Sequence, residues 1–251
     1  LDIEHGVLET LVGEQYAGKD RLIKPNLEAL GLGRDHVLTH LKDACGLSVR
    51  RSNGVGNQIF IDGNDAAALG AVYGGATVAA WYPITPSTSM AEAFAAHCKK
   101  LRVDPQTKAN RFAIIQSEDE LSAIGSVIGA GWNGARAFTA TSGPGISLMQ
   151  EFLGLAYFAE IPAVIFDIQR GGPSTGMPTR TQQSDLLVCA YASHGDTKHV
   201  LLLPEDPTEA FELAADAFDF AERLQTPVFV LLDLDIGMND WLTRPFTWDD
   251  K

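Results

Sequence analysis

Polar residues follow several apolar segments of this chain, in places where a side chain can be directed at a ligand. Glu118, Asp119 and Glu120 come directly after the apolar segment FAIIQS and offer carboxyl groups as hydrogen-bond acceptors. Thr85 lies in YPITPST, where prolines on either side restrict its backbone to extended forms. Arg170 opens the segment RGGPSTGMPTR, and a guanidinium group can pair at two points with a carboxylate or a phosphate.

The acidic residues and the YPITPST segment also have structural interpretations. Acidic residues in the first turn of a helix interact favourably with its free amides, which accounts for Asp119 and Glu120. Capping does not require three acids in a row, so we expect Glu118 to be the one that faces a ligand. YPITPST can equally be a rigid loop in which Ser87 and Thr88 cap the next helix.

Two further segments leave the same choice open. The glycines of TATSGPG permit close approach of the backbone, and free amides around Ser142 and Gly143 can hold an anion. The segment is neither GxGxxG, because Leu148 takes the sixth position, nor a P-loop, because no GK[ST] follows. A Gly-Pro-Gly sequence is more often a simple turn, and Arg170 can be a solvated surface residue.

The elements that position these residues alternate between short apolar strands and amphipathic helices. This alternation predicts a doubly wound α/β fold with a parallel sheet, in which ligands bind beyond the carboxyl ends of the strands. The four segments should therefore lie on one rim of the sheet. The predicted strands are 58–62, 77–82, 111–117, 135–140, 162–168, 199–203 and 227–233, with helices at 65–73, 87–101, 119–133, 146–159, 182–192 and 208–224.

Residues 1–56 differ in composition from the rest and predict a separate unit with a linker. They are polar, carry Gly and Asn punctuation, and suggest short helices near Leu8–Val12 and Asn26–Leu30. The chain begins with Leu1 rather than Met, which indicates processing or an excerpt from a longer polypeptide. Residues 57–251 then form the α/β domain, with Trp132 and Phe138 expected in its core.

Composition excludes several classes of function. The net charge of −13 argues against a nucleic-acid or anionic-membrane surface. No apolar run is long and glycine-free enough to span a membrane. Cys45, Cys98 and Cys189 are scattered without a CxxC, so we expect reduced cysteines in a cytoplasmic protein and no metal site within this chain.

Taken together, YPITPST, IIQSEDE, TATSGPG and RGGPSTGMPTRTQQSDL resemble the alpha subunit of 2-oxoacid:ferredoxin oxidoreductases. The resemblance runs from about residue 57 to the end, in the same order and spacing, and is greatest with the 2-oxoglutarate type. In that type the alpha chain often follows a gamma domain, and KPNLEALGLGRDH is similar to the tail of that domain. The resemblance implies a thiamine diphosphate-binding fold of the pyrimidine-domain kind for residues 57–251.

The activity implied by the resemblance is coenzyme A-dependent oxidative decarboxylation of a 2-oxoacid on thiamine diphosphate. The leading substrate is 2-oxoglutarate, converted to succinyl-CoA, with electrons passed to ferredoxin. A beta subunit is expected to hold the cofactor's diphosphate, Mg²⁺ and a [4Fe-4S] cluster, in a dimer of alpha–beta units. This chain has neither a GDG motif nor cluster cysteines, which fits that division.

The resemblance also implies roles for individual residues. Glu118, in QSE, matches the glutamate that hydrogen-bonds N1′ of the aminopyrimidine ring. Thr85 and Arg170 match residues near the substrate, and we expect them to bind the C1 carboxylate of the 2-oxoacid. Thr179 is a further candidate for the same pocket. Ser142 and Gly143 are assigned to cofactor binding, and no residue is assigned to a metal.

Other functions remain open at this point. The substrate can instead be pyruvate or a branched-chain 2-oxoacid. The chain can also be a transketolase-like or pyruvate dehydrogenase-like thiamine domain without ferredoxin, a phosphonopyruvate- or sulfopyruvate-decarboxylase-like chain, or a non-enzymatic scaffolding subunit. The combination of RGGPSTG with YPITP favours the ferredoxin-linked family.

Overall fold

A computed structural model describes residues 3–41 and 46–248, and the chain divides into two compact units, Leu1–Gly56 and Asn57–Lys251. The first unit contains α1 (His5–Gln15), a 3-10 turn (Asp20–Leu22) and α2 (Ile23–His40), and neither helix buries a residue. Cys45 lies outside the described residues.

The second helix of this unit is longer than the one predicted near Asn26–Leu30. It continues through Gly31 and Gly33 to His40. Glycine in a helix costs about 1 kcal/mol relative to alanine, which weakens a helix without ending it. The glycines are therefore misleading as stop signals here.

A six-stranded parallel sheet organises the second unit, in the order β3-β2-β4-β5-β7-β6. The central strands β5 and β7 are buried along their whole length, as expected for a sheet covered on both faces. At one edge, three of the four residues of β3 are exposed. The strands are β1 (Ile59–Ile61), β2 (Val78–Trp81), β3 (Ala113–Gln116), β4 (Ala137–Thr141), β5 (Ala163–Gln169), β6 (Val200–Leu202), β7 (Pro227–Asp233) and β8 (Trp241–Thr243).

Helices cover both faces of this sheet, each with its own apolar core. On one face α3, α4 and α9 pack over Phe138 and Phe166, whose rings meet edge to face. On the other face α5, α6, α7 and α8 pack over Ile165 and Phe229. The doubly wound prediction is confirmed. The helices are α3 (Gly63–Tyr73), α4 (Thr88–Leu101), α5 (Glu120–Trp132), α6 (Gly143–Leu148), α7 (Gln150–Phe158), α8 (Leu186–Ala190), α9 (Pro207–Leu224) and α10 (Leu234–Met238).

The first predicted strand does not join the parallel sheet. Ile59–Ile61 instead forms an antiparallel pair with Trp241–Thr243 near the other end of the chain. The next residue, Asp62, already caps α3 by accepting a hydrogen bond from the Asp65 amide at 2.7 Å. Because α3 begins directly after it, the short strand is joined to the N-terminus of that helix. It pairs with Trp241–Thr243 instead of with the parallel sheet.

Two smaller predictions are wrong. The helix predicted at 182–192 spans only Leu186–Ala190, because Gln182 accepts a hydrogen bond from the Gly172 amide and Gln183 donates one to Asp233. Trp132 is not in the core: it lies in the last turn of α5 with 66% of its surface exposed. Phe138 is buried as expected. In the part of the chain that the structure describes, no helix combines the length and apolarity needed to cross a bilayer.

Candidate functional site

The four polar segments follow β2, β3, β4 and β5, which are neighbours in the sheet. Because these strands are parallel, their carboxyl ends lie on the same rim. The connection from β2 leads outward to β3, whereas the connection from β4 leads the other way to β5. Such a reversal opens a crevice between the two strands, where doubly wound folds bind ligands. YPITPST and TATSGPG flank this crevice.

Arg170 lies at the end of β5 and joins two of the loops on this rim. It is only 7% exposed, and its Nη1 donates to the Thr85 carbonyl oxygen at 2.6 Å while Nη2 donates to the Thr175 carbonyl oxygen at 2.8 Å. Nε is buried and has no partner among the described residues. Burial lowers the pKa of Arg170. The interpretation of Arg170 as a solvated surface residue is therefore wrong. Its guanidinium group is fixed in place by hydrogen bonds to neutral carbonyl groups.

The loop that carries Thr85 is anchored from below by Asn64. This completely buried amide donates to the Pro86 carbonyl oxygen and to Ser89 Oγ, both at 2.8 Å. The Thr85 side chain is exposed on the rim, while its carbonyl oxygen faces Arg170. Thr85 and Arg170 are thus brought together as predicted neighbours of one site. The predicted helix begins at Asp65, so the sequence analysis gave Asn64 no role.

The expected caps of the following helix are absent among the described contacts. Ser87 Oγ and Thr88 Oγ1 donate to the Ile84 carbonyl oxygen, at 2.9 and 3.3 Å, and neither accepts from a helix amide. The hydroxyls therefore close the loop on itself, and that part of the prediction is wrong.

The three acidic residues after β3 have different surroundings. Asp119 is the N-cap of α5: it accepts from the Ser122 amide at 2.7 Å, and hydrogen bonds from Ser122 lower its pKa. Glu120 is the first helical residue and is buried. Both positions confirm the first-turn interpretation. Glu118 is exposed at the strand end and forms no hydrogen bond or ion pair with another described residue. Its carboxyl group is available to a ligand.

Packing within the chain explains the glycines of TATSGPG. A Cβ atom on Gly143 would lie 2.7 Å from Asp185 Oδ2, and one on Gly145 would overlap Thr141 Oγ1. Ser142 precedes α6 and is buried, with no partner for its Oγ among the described residues. The carboxyl group of Asp185 occupies the space beside Gly143, so this turn suits a neutral group better than a phosphate.

A cavity of about 670 Å³ lies beside this turn, between the ends of β4 and β5. Gly143, Arg170 and Asp185 contribute to its wall, together with residues 171–175 of the RGGPSTG loop. Thr179 is exposed and does not line the cavity; its carbonyl oxygen accepts from Arg180 Nη1 at 2.8 Å. Of the predicted site residues, the structure therefore places Arg170 and Gly143 on the cavity wall.

Two acidic residues near the cavity were not among the predicted site residues. Asp167 lies within β5 and is completely buried, and Asp185 lies at the start of α8. One signal for Asp167 is present in the sequence, since AVIFDIQ places an acid inside an otherwise uncharged strand. Asp185 gave no such signal, because QQSDLL resembles an ordinary helix start.

Comparison with known proteins identifies relatives of this chain. Residues 69–240 match the family model described as pyruvate flavodoxin/ferredoxin oxidoreductase, thiamine diphosphate-binding. The chain is 47% identical over 178 residues to the 2-oxoglutarate synthase subunit KorA of Methanocaldococcus jannaschii, covering 71% of this chain and 46% of that protein. It is 42% identical over 239 residues to subunit alpha of a 2-oxoacid:ferredoxin oxidoreductase of Aeropyrum pernix, covering 90% of this chain and 36% of that protein.

A solved structure gives the same result for the fold. The chain resembles a 2-oxoglutarate:ferredoxin oxidoreductase from Magnetococcus marinus, solved with 2-oxoglutarate, coenzyme A and succinyl-CoA bound, with a TM-score of 0.77 and 34% sequence identity. The match covers 100% of this chain and 44% of the other. This chain thus spans less than half of each of these three proteins. The match of the family model to most of the chain shows that it belongs to the thiamine diphosphate-binding family of pyruvate flavodoxin/ferredoxin oxidoreductases.

Proposed function

We propose that this chain is part of the alpha subunit of a 2-oxoacid:ferredoxin oxidoreductase of the 2-oxoglutarate type. The complete enzyme oxidatively decarboxylates 2-oxoglutarate in the presence of coenzyme A, forms succinyl-CoA and passes the electrons to ferredoxin. The observation that carries the proposal is the buried cation of Arg170, held beside Thr85 on the rim of a thiamine-type fold. The names of the relatives support this reaction class. Pyruvate and branched-chain 2-oxoacids are the alternative substrates.

The residues on the rim fit the pyrimidine side of thiamine diphosphate. When bound, the cofactor supplies the nucleophilic carbon and the electron sink that decarboxylation of a 2-oxoacid requires. Glu118 offers a carboxyl group with no partner in the described chain, and we assign it the hydrogen bond to N1′ of the ring. Ser142 and Gly143 lie at the neighbouring strand end and are proposed to border the cofactor. The carboxyl group of Asp185 beside Gly143 disfavours a diphosphate at that turn.

Arg170 and Thr85 are the proposed binding groups for the C1 carboxylate of the substrate. The two carbonyl contacts of Arg170 fix its guanidinium, and neither acceptor forms an ion pair with it. Its restricted position reduces the entropy lost when an anion binds. Thr85 is exposed, and its hydroxyl supplies a further hydrogen-bond donor close to the point where its carbonyl oxygen accepts from Arg170. Thr179, farther along the RGGPSTG loop, remains a candidate for the pocket.

A beta subunit is the proposed partner, and it would hold the diphosphate, Mg²⁺ and a [4Fe-4S] cluster. The helices on one face of the domain support a partner, because they leave large apolar side chains exposed. Phe158 at the end of α7 is 88% exposed and Leu187 on α8 is 74% exposed. Exposed apolar surface of this kind is typical of protein–protein contacts. We further propose a dimer of alpha–beta units in the cytoplasm, in which residues 1–56 end a gamma-like domain and form the linker.

Assembly with the partner tests this function. The complete alpha chain, co-expressed with its beta subunit, should reduce ferredoxin only when 2-oxoglutarate and coenzyme A are both present. Pyruvate assayed in parallel separates the substrate alternatives. Release of an aldehyde without coenzyme A or an electron acceptor would instead indicate a simple thiamine-dependent decarboxylase. A complex that binds thiamine diphosphate and converts no 2-oxoacid would contradict the proposal.

A further inference from the structure

Asp185 contributes to the cavity wall, and Asp167 lies buried beside it. Asp167 is 0% exposed in β5, and its Oδ2 accepts a hydrogen bond from Cys189 Sγ at 3.6 Å. Its other oxygen, Oδ1, is buried without a partner if both acids are ionised. Asp185 Oδ2 is in the same situation. The two carboxyl groups lie within hydrogen-bonding reach of each other.

One proton satisfies both unpartnered oxygens. Two ionised carboxylates in contact repel each other strongly in a poorly solvated environment, and such pairs titrate as a unit. Burial, followed by the charge of Asp185, raises the pKa of Asp167 well above its usual range. Burial also raises the pKa of Asp185, but the hydrogen bond from Asp167 opposes that rise. Asp167 is completely buried whereas Asp185 borders the cavity, so the charge is better solvated on Asp185 and the proton resides on Asp167.

The groups around the pair do not neutralise its charge. Cys189 on α8 is a buried thiol whose pKa is raised by burial and by both acids, so it remains a weak donor. The neighbouring strands β4 and β7 place Thr141 and Leu231 beside Asp167. On the remaining elements, α6 places Gly143 against Asp185, Glu120 of α5 lies close to Gly145, and Arg170 lines the same cavity from the end of β5.

We propose that Asp167 and Asp185 hold one proton between them and make anion binding in the adjoining cavity dependent on pH. With the proton present, the pair carries one negative charge; when the proton is released to solvent, it carries two. The second charge arises beside a cavity whose wall contains Arg170, a nearly buried cation with an unpartnered Nε. It offsets the attraction of that cation for an anion. The identification of the anion as a 2-oxoacid rests on the proposed function.

The substitution Asp167→Asn tests the pair because asparagine resembles the protonated state. Its amide can donate to Asp185, and its carbonyl oxygen can accept from Cys189. In the wild-type protein, this proton adds stability that is complete below the usual aspartate pKa and is lost as pH rises through the raised pKa. The asparagine variant cannot lose it. Its melting temperature should therefore exceed that of wild type by an amount that grows as pH rises from 4.

Asp216→Asn is the matched control for this stability measurement. Burial and the charge of Asp219 raise the pKa of Asp216, but this residue lies on the exposed side of α9. The control should show at most a small pH-dependent gain in melting temperature, and it should leave substrate binding unchanged. If the melting temperatures of wild type and Asp167→Asn change equally with pH, the two acids do not share a proton.

Substrate binding in the assembled enzyme tests the second half of the inference. The KM of wild type for 2-oxoglutarate should rise about fivefold or more as pH passes through the pKa of Asp167, since one unit charge a few ångströms away acts on the anion. The KM of Asp167→Asn should lack this rise, whereas that of Asp216→Asn should keep it. Identical KM profiles for wild type and Asp167→Asn would overturn the link to binding.

Infrared titration of the wild-type protein provides a measurement that needs no variant. A band from a neutral carboxylic acid should persist above the pH range in which ordinary aspartates ionise and disappear where KM rises. If no such band persists above the usual aspartate range, the proposal is overturned even if Asp167→Asn fails to fold. If the enzyme converts no 2-oxoacid at any pH, the proposed function fails separately, and calorimetric binding of oxalate as a function of pH then decides whether the pair controls anion binding.

Discussion

Arg170 Nη1 lies 2.6 Å from the carbonyl oxygen of Thr85, although the two residues are 85 positions apart in the chain. This contact joins the loop after β2 to the loop after β5 across the end of β4. A second contact from the same guanidinium, to the Thr175 carbonyl oxygen, closes the RGGPSTG loop over the cavity. The position of the proposed carboxylate-binding groups therefore depends on a planar group that can reach two acceptors at once.

Arg170→Lys should weaken substrate binding while retaining the positive charge. An ammonium group cannot reproduce the planar fork that spans Thr85 and Thr175, so we expect KM for 2-oxoglutarate to rise about 10- to 100-fold. The dissociation constant for thiamine diphosphate should not change. Arg223→Lys, on the exposed last turn of α9, is the control. Wild-type kcat/KM in Arg170→Lys would remove this residue from the substrate pocket.

Glu118→Gln should reduce the rate of decarboxylation without reducing stability. The Glu118 carboxyl group is exposed and has no partner in the described chain, so its removal leaves the fold intact. We expect kcat to fall about 100-fold or more, in line with the loss of a positioned acid–base group. Steady-state assays of the assembled complex, with melting temperatures measured in parallel, check both parts. A wild-type rate would exclude the N1′ role.

Asp119→Ala is the matched control for Glu118→Gln, and it should reduce stability without reducing the rate of decarboxylation. It removes the N-cap of α5, so the melting temperature should fall while kcat is retained. Because hydrogen bonds from Ser122 lower the pKa of Asp119, its contribution to stability is present above the usual aspartate pKa and is lost as pH falls through the lowered one. The difference in melting temperature between wild type and variant should therefore shrink in acid.

Gly143→Ala should displace the Asp185 carboxyl group and lower stability. The new Cβ would lie 2.7 Å from Oδ2, and overpacking of this kind typically costs about 1–3 kcal/mol. Gly129→Ala in α5 is the control, because nothing lies within 4 Å of its Cβ position and alanine favours the helix. Denaturant unfolding measures both variants. Equal free energies of unfolding for Gly143→Ala and wild type would show that Asp185 can move freely.

Phe158→Glu should weaken the complex with the beta subunit without unfolding this domain. The ring is almost fully exposed at the end of α7, so a charge there costs little in the chain alone. In a desolvated contact it would be unfavourable, and less beta subunit should be retained on affinity purification. Leu224→Glu, at the end of α9 on the opposite face, is the control. Equal retention of the beta subunit by both variants would place the contact elsewhere.

The alternation of strands and helices was readable because each central strand is a continuous apolar run. Pro227–Asp233 shows this most clearly: its predicted and observed bounds agree. The pairing of Ile59–Ile61 with Trp241–Thr243 was not readable, since both strands are short and their partners are far apart in the chain. Trp132 was misjudged for another reason, because composition does not say which side of a helix end faces solvent.

The candidate site was also only partly predictable from the sequence. Local rules located Asp119 as a cap and the strand-end loops as ligand-facing segments. They did not reveal that Arg170 holds Thr85, that Asn64 anchors Pro86, or that Asp167 meets Asp185, because each of these contacts joins separate strands or loops. The glycines of α5 also needed the structure: a Cβ on Gly131 would lie 2.5 Å from the Pro162 carbonyl oxygen, whereas Gly129 faces open space.

Glu118 follows β3, which is one of the two edge strands of the six-stranded sheet and exposes Ile115. An open edge with apolar side chains can pair with any other extended chain, including another copy of itself. Balanced synthesis of this chain and its partner therefore matters in practice. We expect the chain to accumulate in aggregates when it is produced in excess, and co-expression to raise the yield of recoverable protein.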